Sequence, residues 1–166
     1  IGCGTGRASI PIARMGIPVT GLDAVPGMLA QARSKSEGLP VRWVKGDARS
    51  FALDQRFRLI YMTGNVFQFF LTRRDQESVL TCARLHLEKD GYLAFETRNP
   101  RSVVPGSAPA QGSAAGFFPC LETFDAERYL TTYTDAAGHE VRVWLTQTYD
   151  PATQILSCTT HRRWFE

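Results

Sequence analysis

The chain of 166 residues is 43% hydrophobic and 21% charged, with a formal net charge of +3, which suits an ordinary globular protein with one main core. Its arginines are scattered rather than gathered into the basic stripe of a nucleic-acid binder, and no apolar run approaches the roughly 18 residues of a membrane span. Cys3, Cys82, Cys120 and Cys158 are too dispersed to suggest a metal or disulfide framework, so reduced thiols in a cytoplasmic setting are expected.

The chain begins Ile1-Gly2-Cys3-Gly4-Thr5-Gly6-Arg7. Side chains at the glycine positions would block close approach of a ligand to the backbone between a strand and a helix. Residues 7–15 are predicted to form that helix, with Thr5 placed to cap it, Pro11 tolerated near its start and Gly16 stopping it. Residues 18–23 read as a short buried strand ending on Asp23. Pro26 opens a second helix through Met28, Leu29, Ala32 and Arg33, ending near Gly38. Val41–Val44 is strand-like, and residues 45–48 turn out of it. Leu59–Met62 is a further strand. Residues 72–87 place Val79, Leu80, Ala83, Leu85 and Leu87 on a helical period, with Asp90-Gly91 marking the end. Tyr92–Glu96 is the next strand. Helices alternating with short apolar strands predict a parallel α/β sheet with right-handed crossovers.

The pattern then changes. Residues 98–121, rich in Pro, Gly, Ser and Ala, read as a flexible loop over the ligand-binding edge of the sheet. Strand-like runs follow near 122–134, 139–149 and 154–165, with turns at 135–138 and 150–153. Val141, Val143 and Leu145 alternate with Arg142, Trp144 and Thr146, as in a half-buried antiparallel strand. The expected organisation is an α/β core over 1–97 and an antiparallel β meander over 122–166.

The glycine spacing separates two kinds of nucleotide site. A dinucleotide fingerprint, G-x-G-x-x-G, starting at Gly2 would need glycine at position 7, where Arg7 stands. The loop instead reads G-x-G-x-G, and an acid, Asp23, follows about 17 residues later. This pairing resembles motifs I and II of the class I S-adenosylmethionine-dependent methyltransferases. More narrowly, the chain is similar to small bacterial enzymes with an antiparallel insert after the fifth strand. The resemblance covers most of residues 1–96. It implies a Rossmann-like sheet, S-adenosylmethionine as cofactor, no metal, and in-line transfer of the sulfonium methyl to an acceptor, expected to be a small molecule. A homodimer is compatible with it. In that family an apolar strand precedes the loop, and only Ile1 stands for it here; the chain also ends within a strand-like pattern. It therefore reads as truncated at both ends.

The resemblance also implies site residues. Gly2, Gly4, Thr5 and Gly6 would form the cofactor loop, and Asp23 would accept hydrogen bonds from the ribose hydroxyls. Met28 would pack on the adenosine face. Asp47 would accept from the adenine amine while the Ala48 amide meets a ring nitrogen. Met62 and Thr63 would act through backbone groups beneath the methionine end. Asn65, Phe67 and Gln68 would reach the acceptor, and Arg98, beside Glu96 at the sheet edge, would steer an acidic one. Each residue also has a plainer reading: Asp23 and Asp47 as turn formers, Met28 as core, and residues 65–70 as a packing cluster. His86, His139 and His161 are read as structural, and no general base is named. No Ser-His-Asp, H-E-x-x-H or P-loop pattern occurs. The alternatives are an NAD(P)-dependent Rossmann oxidoreductase, disfavoured by Arg7, and a non-catalytic binding module on the same fold.

Overall fold

Aliphatic runs and helical periods alternate through the first part of the chain and form α1 (Ser9–Arg14), β1 (Val19–Asp23), α2 (Pro26–Lys35), β2 (Val41–Lys45), β3 (Phe57–Met62), a 3₁₀ turn (Val66–Phe69), α3 (Arg73–Leu85) and β4 (Leu87–Phe95). The computed structural model describes residues 1–97 and 123–165, and the chain divides into two units, Ile1–Arg98 and Asn99–Glu166. No helix among the described residues is long and apolar enough to cross a membrane.

In the first unit β1 runs parallel to β2, with Val19 opposite Val41 and Asp23 opposite Lys45. Strand β3 runs parallel to β4, with Leu59 opposite Tyr92 and Met62 opposite Phe95. Ile1 and the start of the glycine loop join the two pairs: Ile1 N donates to Tyr61 O at 2.9 Å, and Cys3 N donates to Leu22 O at 3.1 Å. The loop thus emerges between the ends of β1 and β3, the edge where open α/β sheets bind ligands. Each helix buries one stripe at helical spacing: Ile10 and Ala13 from α1, Leu29 and Ala32 from α2, and Val79, Cys82 and Ala83 from α3. Pro26 occupies the first turn of α2, where its missing N–H costs nothing. Thr72 caps α3 by accepting from Asp75 N at 3.1 Å.

Two local expectations are corrected. Asp90-Gly91 does not end α3; the helix closes at His86, and both residues lie inside β4. Gly91 is needed for strand approach instead: a Cβ there would stand 2.9 Å from Phe57 O, where the β3–β4 register shifts. Thr5 does not cap α1, which starts after Ala8 with no side-chain cap. The turn is closed by backbone alone, Gly6 N donating to Cys3 O and Ile10 N to Gly6 O, each at 2.9 Å.

The second unit contains a three-stranded antiparallel sheet in the order β5 (Phe124–Thr134), β6 (Glu140–Asp150), β7 (Ile155–Phe165). Asx turns shape both connections. Asp135 Oδ1 accepts from Ala137 N and His139 N, and Asp150 Oδ1 accepts from Ala152 N. Val141, Val143, Leu145 and Gln147 are buried on one face of β6. The loop expected over 98–121, with Arg98 and Cys120, lies outside the described residues.

Candidate cofactor site

Gly2, Gly4 and Gly6 all adopt left-handed backbone, with φ of +66°, +53° and +84°. An L side chain is disfavoured there by roughly 1–2 kcal/mol. Their surroundings differ. A Cβ on Gly2 would meet Val66 at 2.5 Å, and one on Gly6 would meet Ile10 at 2.8 Å and Trp43 at 2.9 Å. A Cβ on Gly4 would meet nothing within 4 Å. Gly2 and Gly6 therefore seat the loop against the protein, while Gly4 leaves backbone exposed to an open space.

Asp23, at the end of β1, reaches back to this loop. Its Oδ2 accepts from Gly4 N at 2.7 Å and its Oδ1 from Val25 N at 2.9 Å. The second bond is the turn-forming role; the first ties the carboxylate to the glycine loop. A carboxylate has about four acceptor directions, so Asp23 keeps capacity for hydroxyl donors. Cys3 lies beside it, and burial followed by the Asp23 charge pushes its thiol up to about 11. Thr5 is half-buried in the loop.

Gly46 N donates to Asp23 O at 3.0 Å, which brings the end of β2 alongside. Asp47 follows. Its Oδ1 accepts from Arg49 N at 2.9 Å and Nε at 3.0 Å, and its Oδ2 from Arg49 Nη2 at 2.6 Å. These bonds hold the carboxyl down to about 2, so Asp47 is an acceptor only at any working pH. Ala48 N–H has no acceptor among the described residues. Met28 is 43% exposed at the start of α2 and is not core.

On the other side of the loop, Met62 is fully buried and its carbonyl accepts from Glu96 N at 3.3 Å. Gly64 N donates to Glu96 Oε1 at 2.5 Å. Gly64 and Asn65 are consecutive left-handed residues, with φ of +74° and +60°. They turn the chain back so that Val66 covers Gly2. Such backbone in a non-glycine residue is characteristic of sites where strain is held by the surroundings. Phe67 stacks on Phe95 with centroids 4.5 Å apart and an interplanar angle of 32°. Phe95 remains 44% exposed and Phe67 half-buried, so this pair is a partly open aromatic wall rather than core. Gln68 N donates to Asn65 O at 3.0 Å, fixing the 3₁₀ turn.

Geometry thus gathers Gly2, Gly4, Gly6, Asp23 and the Gly64–Phe67 turn around one edge, with Asp47 joined through Gly46. Arg98 lies outside the described residues. Sequence reasoning passed over Val66, Trp43 and Arg49; only Arg49 left a signal, as an Asp-x-Arg spacing. His86 is structural, with Nδ1 2.8 Å from Cys82 O and Nε2 accepting from Leu53 N at 3.0 Å. It also borders a cavity of about 300 Å³ with Leu53, Asp54, Gln55, Arg56 and Leu85, at the opposite end of β3 from the glycine loop.

Residues 1–91 match the family described as a methyltransferase domain. The chain belongs to that family. The cypemycin N-terminal methyltransferase of a Streptomyces species is 28% identical over 161 residues, covering 95% of this chain and 56% of the relative. The structure of the CcbJ methyltransferase from Streptomyces caelestis superposes with a TM-score of 0.71 at 23% identity, over 99% of this chain and 62% of that one. A TehB-like SAM-dependent methyltransferase from Corynebacterium glutamicum is 30% identical with a TM-score of 0.52, over 57% and 50% of the two chains. This methyltransferase domain therefore has the Rossmann-like class I fold, and it spans about half the length of the curated relatives it matches.

Proposed function

We propose that this methyltransferase domain transfers a methyl group from S-adenosylmethionine to an amine nitrogen of a small molecule. The observation that carries the reading is the Asp23 carboxylate bonded to Gly4 N beside the one loop glycine that faces open space. A dinucleotide enzyme would place glycine where exposed Arg7 stands.

Gly4 admits the ligand to the backbone, and Asp23 accepts from ribose hydroxyls. Asp47 accepts from the adenine amine, Ala48 N–H donates to a ring nitrogen, and Met28 covers the adenosine. When bound, S-adenosylmethionine supplies an electrophilic sulfonium methyl. Beyond holding it, the chain has to align the acceptor and exclude water. The Gly64–Asn65 turn and the Phe67–Phe95 wall take on that task in this reading, with Asn65 and Gln68 offering polar groups. The nitrogen assignment rests on the name of the N-terminal methyltransferase relative, and on the aromatic wall, whose faces attract a cationic amine. An ammonium must lose its proton before attack.

Incubation with S-adenosylmethionine and a panel of small amines, alcohols and carboxylic acids tests the reading by mass spectrometry. Methylated amine together with S-adenosylhomocysteine is expected. Methylation confined to oxygen acceptors would overturn the amine assignment, and no S-adenosylhomocysteine with any acceptor would overturn turnover.

A further inference from the structure

The segment after Asp47 lies along α3 in a regular way. Arg49 Nη1 donates to Asp75 Oδ1 at 2.8 Å, Cys82 Sγ donates to Phe51 O at 3.1 Å, and Leu53 N donates to His86 Nε2 at 3.0 Å. Every second residue of the segment meets α3 or its C-cap, at positions seven and then four residues apart, which share one helix face. The Phe51 ring also stacks on His86 at 4.3 Å. Residues 49–53 are thus strapped to the helix at three points.

The upstream end of the strap differs from the others. Arg49 holds both oxygens of Asp47 while also holding Asp75, whose other oxygen accepts from Thr72 Oγ1 at 2.7 Å. Both ion pairs are substantially exposed, with the Arg49 side chain 45% exposed, and exposed pairs add little to stability. What a fork-shaped guanidinium supplies in such a place is direction, because two parallel bonds fix the plane of a carboxylate.

We infer that Arg49 is a positioning residue for cofactor recognition: anchored on Asp75 of α3, it sets the plane of the Asp47 carboxylate toward the adenine amine. The inference rests on the proposed role of Asp47. It makes α3 a determinant of base selectivity although Asp75 lies 26 residues beyond Arg49 in the chain. Arg49 Nε is shared between the two Asp47 oxygens, at 3.0 Å from Oδ1 and 3.1 Å from Oδ2, so the carboxylate is gripped along one side and any further donor has to share Oδ2 with Arg49.

Calorimetric titration with S-adenosylhomocysteine and with S-inosylhomocysteine, which has a carbonyl in place of the amine, separates the roles. The unaltered protein is expected to prefer the adenosyl ligand, and Asp47→Asn to lose that preference. Arg49→Gln and Asp75→Asn should each reduce the ratio of the two affinities by about fivefold to tenfold, with melting temperatures falling by no more than that of Asp47→Asn. Arg49→Lys, which keeps charge but not the fork, should fall between. A loss of preference in Asp47→Asn with the original ratio in Arg49→Gln would overturn the positioning role while leaving Asp47 in place. An unchanged ratio in Asp47→Asn would overturn the Asp47 reading and this inference with it. Equal weakening of both ligands in Arg49→Gln would make the strap merely structural.

Discussion

Alanine at Gly4 and at Gly6 should fail in different ways, although both positions have left-handed backbone. At Gly4 the added methyl meets nothing within 4 Å, and the bond from its N–H to Asp23 is a backbone bond that alanine keeps. The cost to folding is the left-handed strain alone, about 1–2 kcal/mol. In a chain of this size that lowers the melting temperature by about 2–8 °C. At Gly6 the methyl would stand 2.8 Å from Ile10 and 2.9 Å from Trp43, so an overpacking cost of about 1–3 kcal/mol is added. Affinity should follow the opposite order. The Gly4 methyl occupies the space left for ligand, and S-adenosylhomocysteine binding should weaken at least tenfold, about 1.4 kcal/mol. Thermal melts and titration calorimetry on both variants measure the two effects. Full affinity in Gly4→Ala would show that the open face of the loop is not the binding face, and a Gly6→Ala melt no lower than that of Gly4→Ala would refute the packing argument.

Asp23→Ala should weaken S-adenosylhomocysteine binding by roughly 1–3 kcal/mol, since ribose hydroxyls and Gly4 N both lose a charged acceptor; unchanged calorimetric affinity would remove Asp23 from the site. The Asp47 carboxyl is held at about 2 in the folded protein against an ordinary 3.8, so its contribution is complete above about pH 4 and is lost as pH falls toward 2. The melting-temperature gap between the unaltered protein and Asp47→Asn should therefore be constant at neutral pH and close in acid, and a gap persisting at pH 2 would contradict the assignment. With its thiol pushed up to about 11, Cys3 should be alkylated by iodoacetamide at pH 8 far more slowly than free cysteine. Peptide mass spectrometry after timed labelling checks this, and rapid modification at Cys3 would contradict it.

What was legible in the sequence was what depends on local order. Pro26 set the start of α2, aliphatic runs marked β1 to β3, and alternation along Val141, Val143 and Leu145 gave the buried face of β6. The glycine spacing and Asp23 could be read together because they form a short motif, and the structure brings the loop and that strand end into contact. Gly91 was misread because its role is close approach to Phe57 O on another strand, which punctuation rules do not encode. The strap was invisible for a related reason. Arg49 and Asp75 meet only when β3 and the 3₁₀ turn between them bring the first turn of α3 back to residue 49, and nothing in either neighbourhood announces the other. Asp23 shows both sides: its place at a strand end could be read, but its bond to Gly4, 19 residues away, could not.

In the proposed function the glycine loop and Asp23 of this methyltransferase domain receive an adenosyl sulfonium cofactor rather than a dinucleotide. Titration calorimetry of the protein with S-adenosylmethionine and, separately, with NAD⁺ tests it most directly. Saturable one-to-one binding of S-adenosylmethionine, with no heat from NAD⁺ and an affinity at least tenfold weaker in Gly4→Ala, is expected. Binding of NAD⁺ with none of S-adenosylmethionine would contradict it.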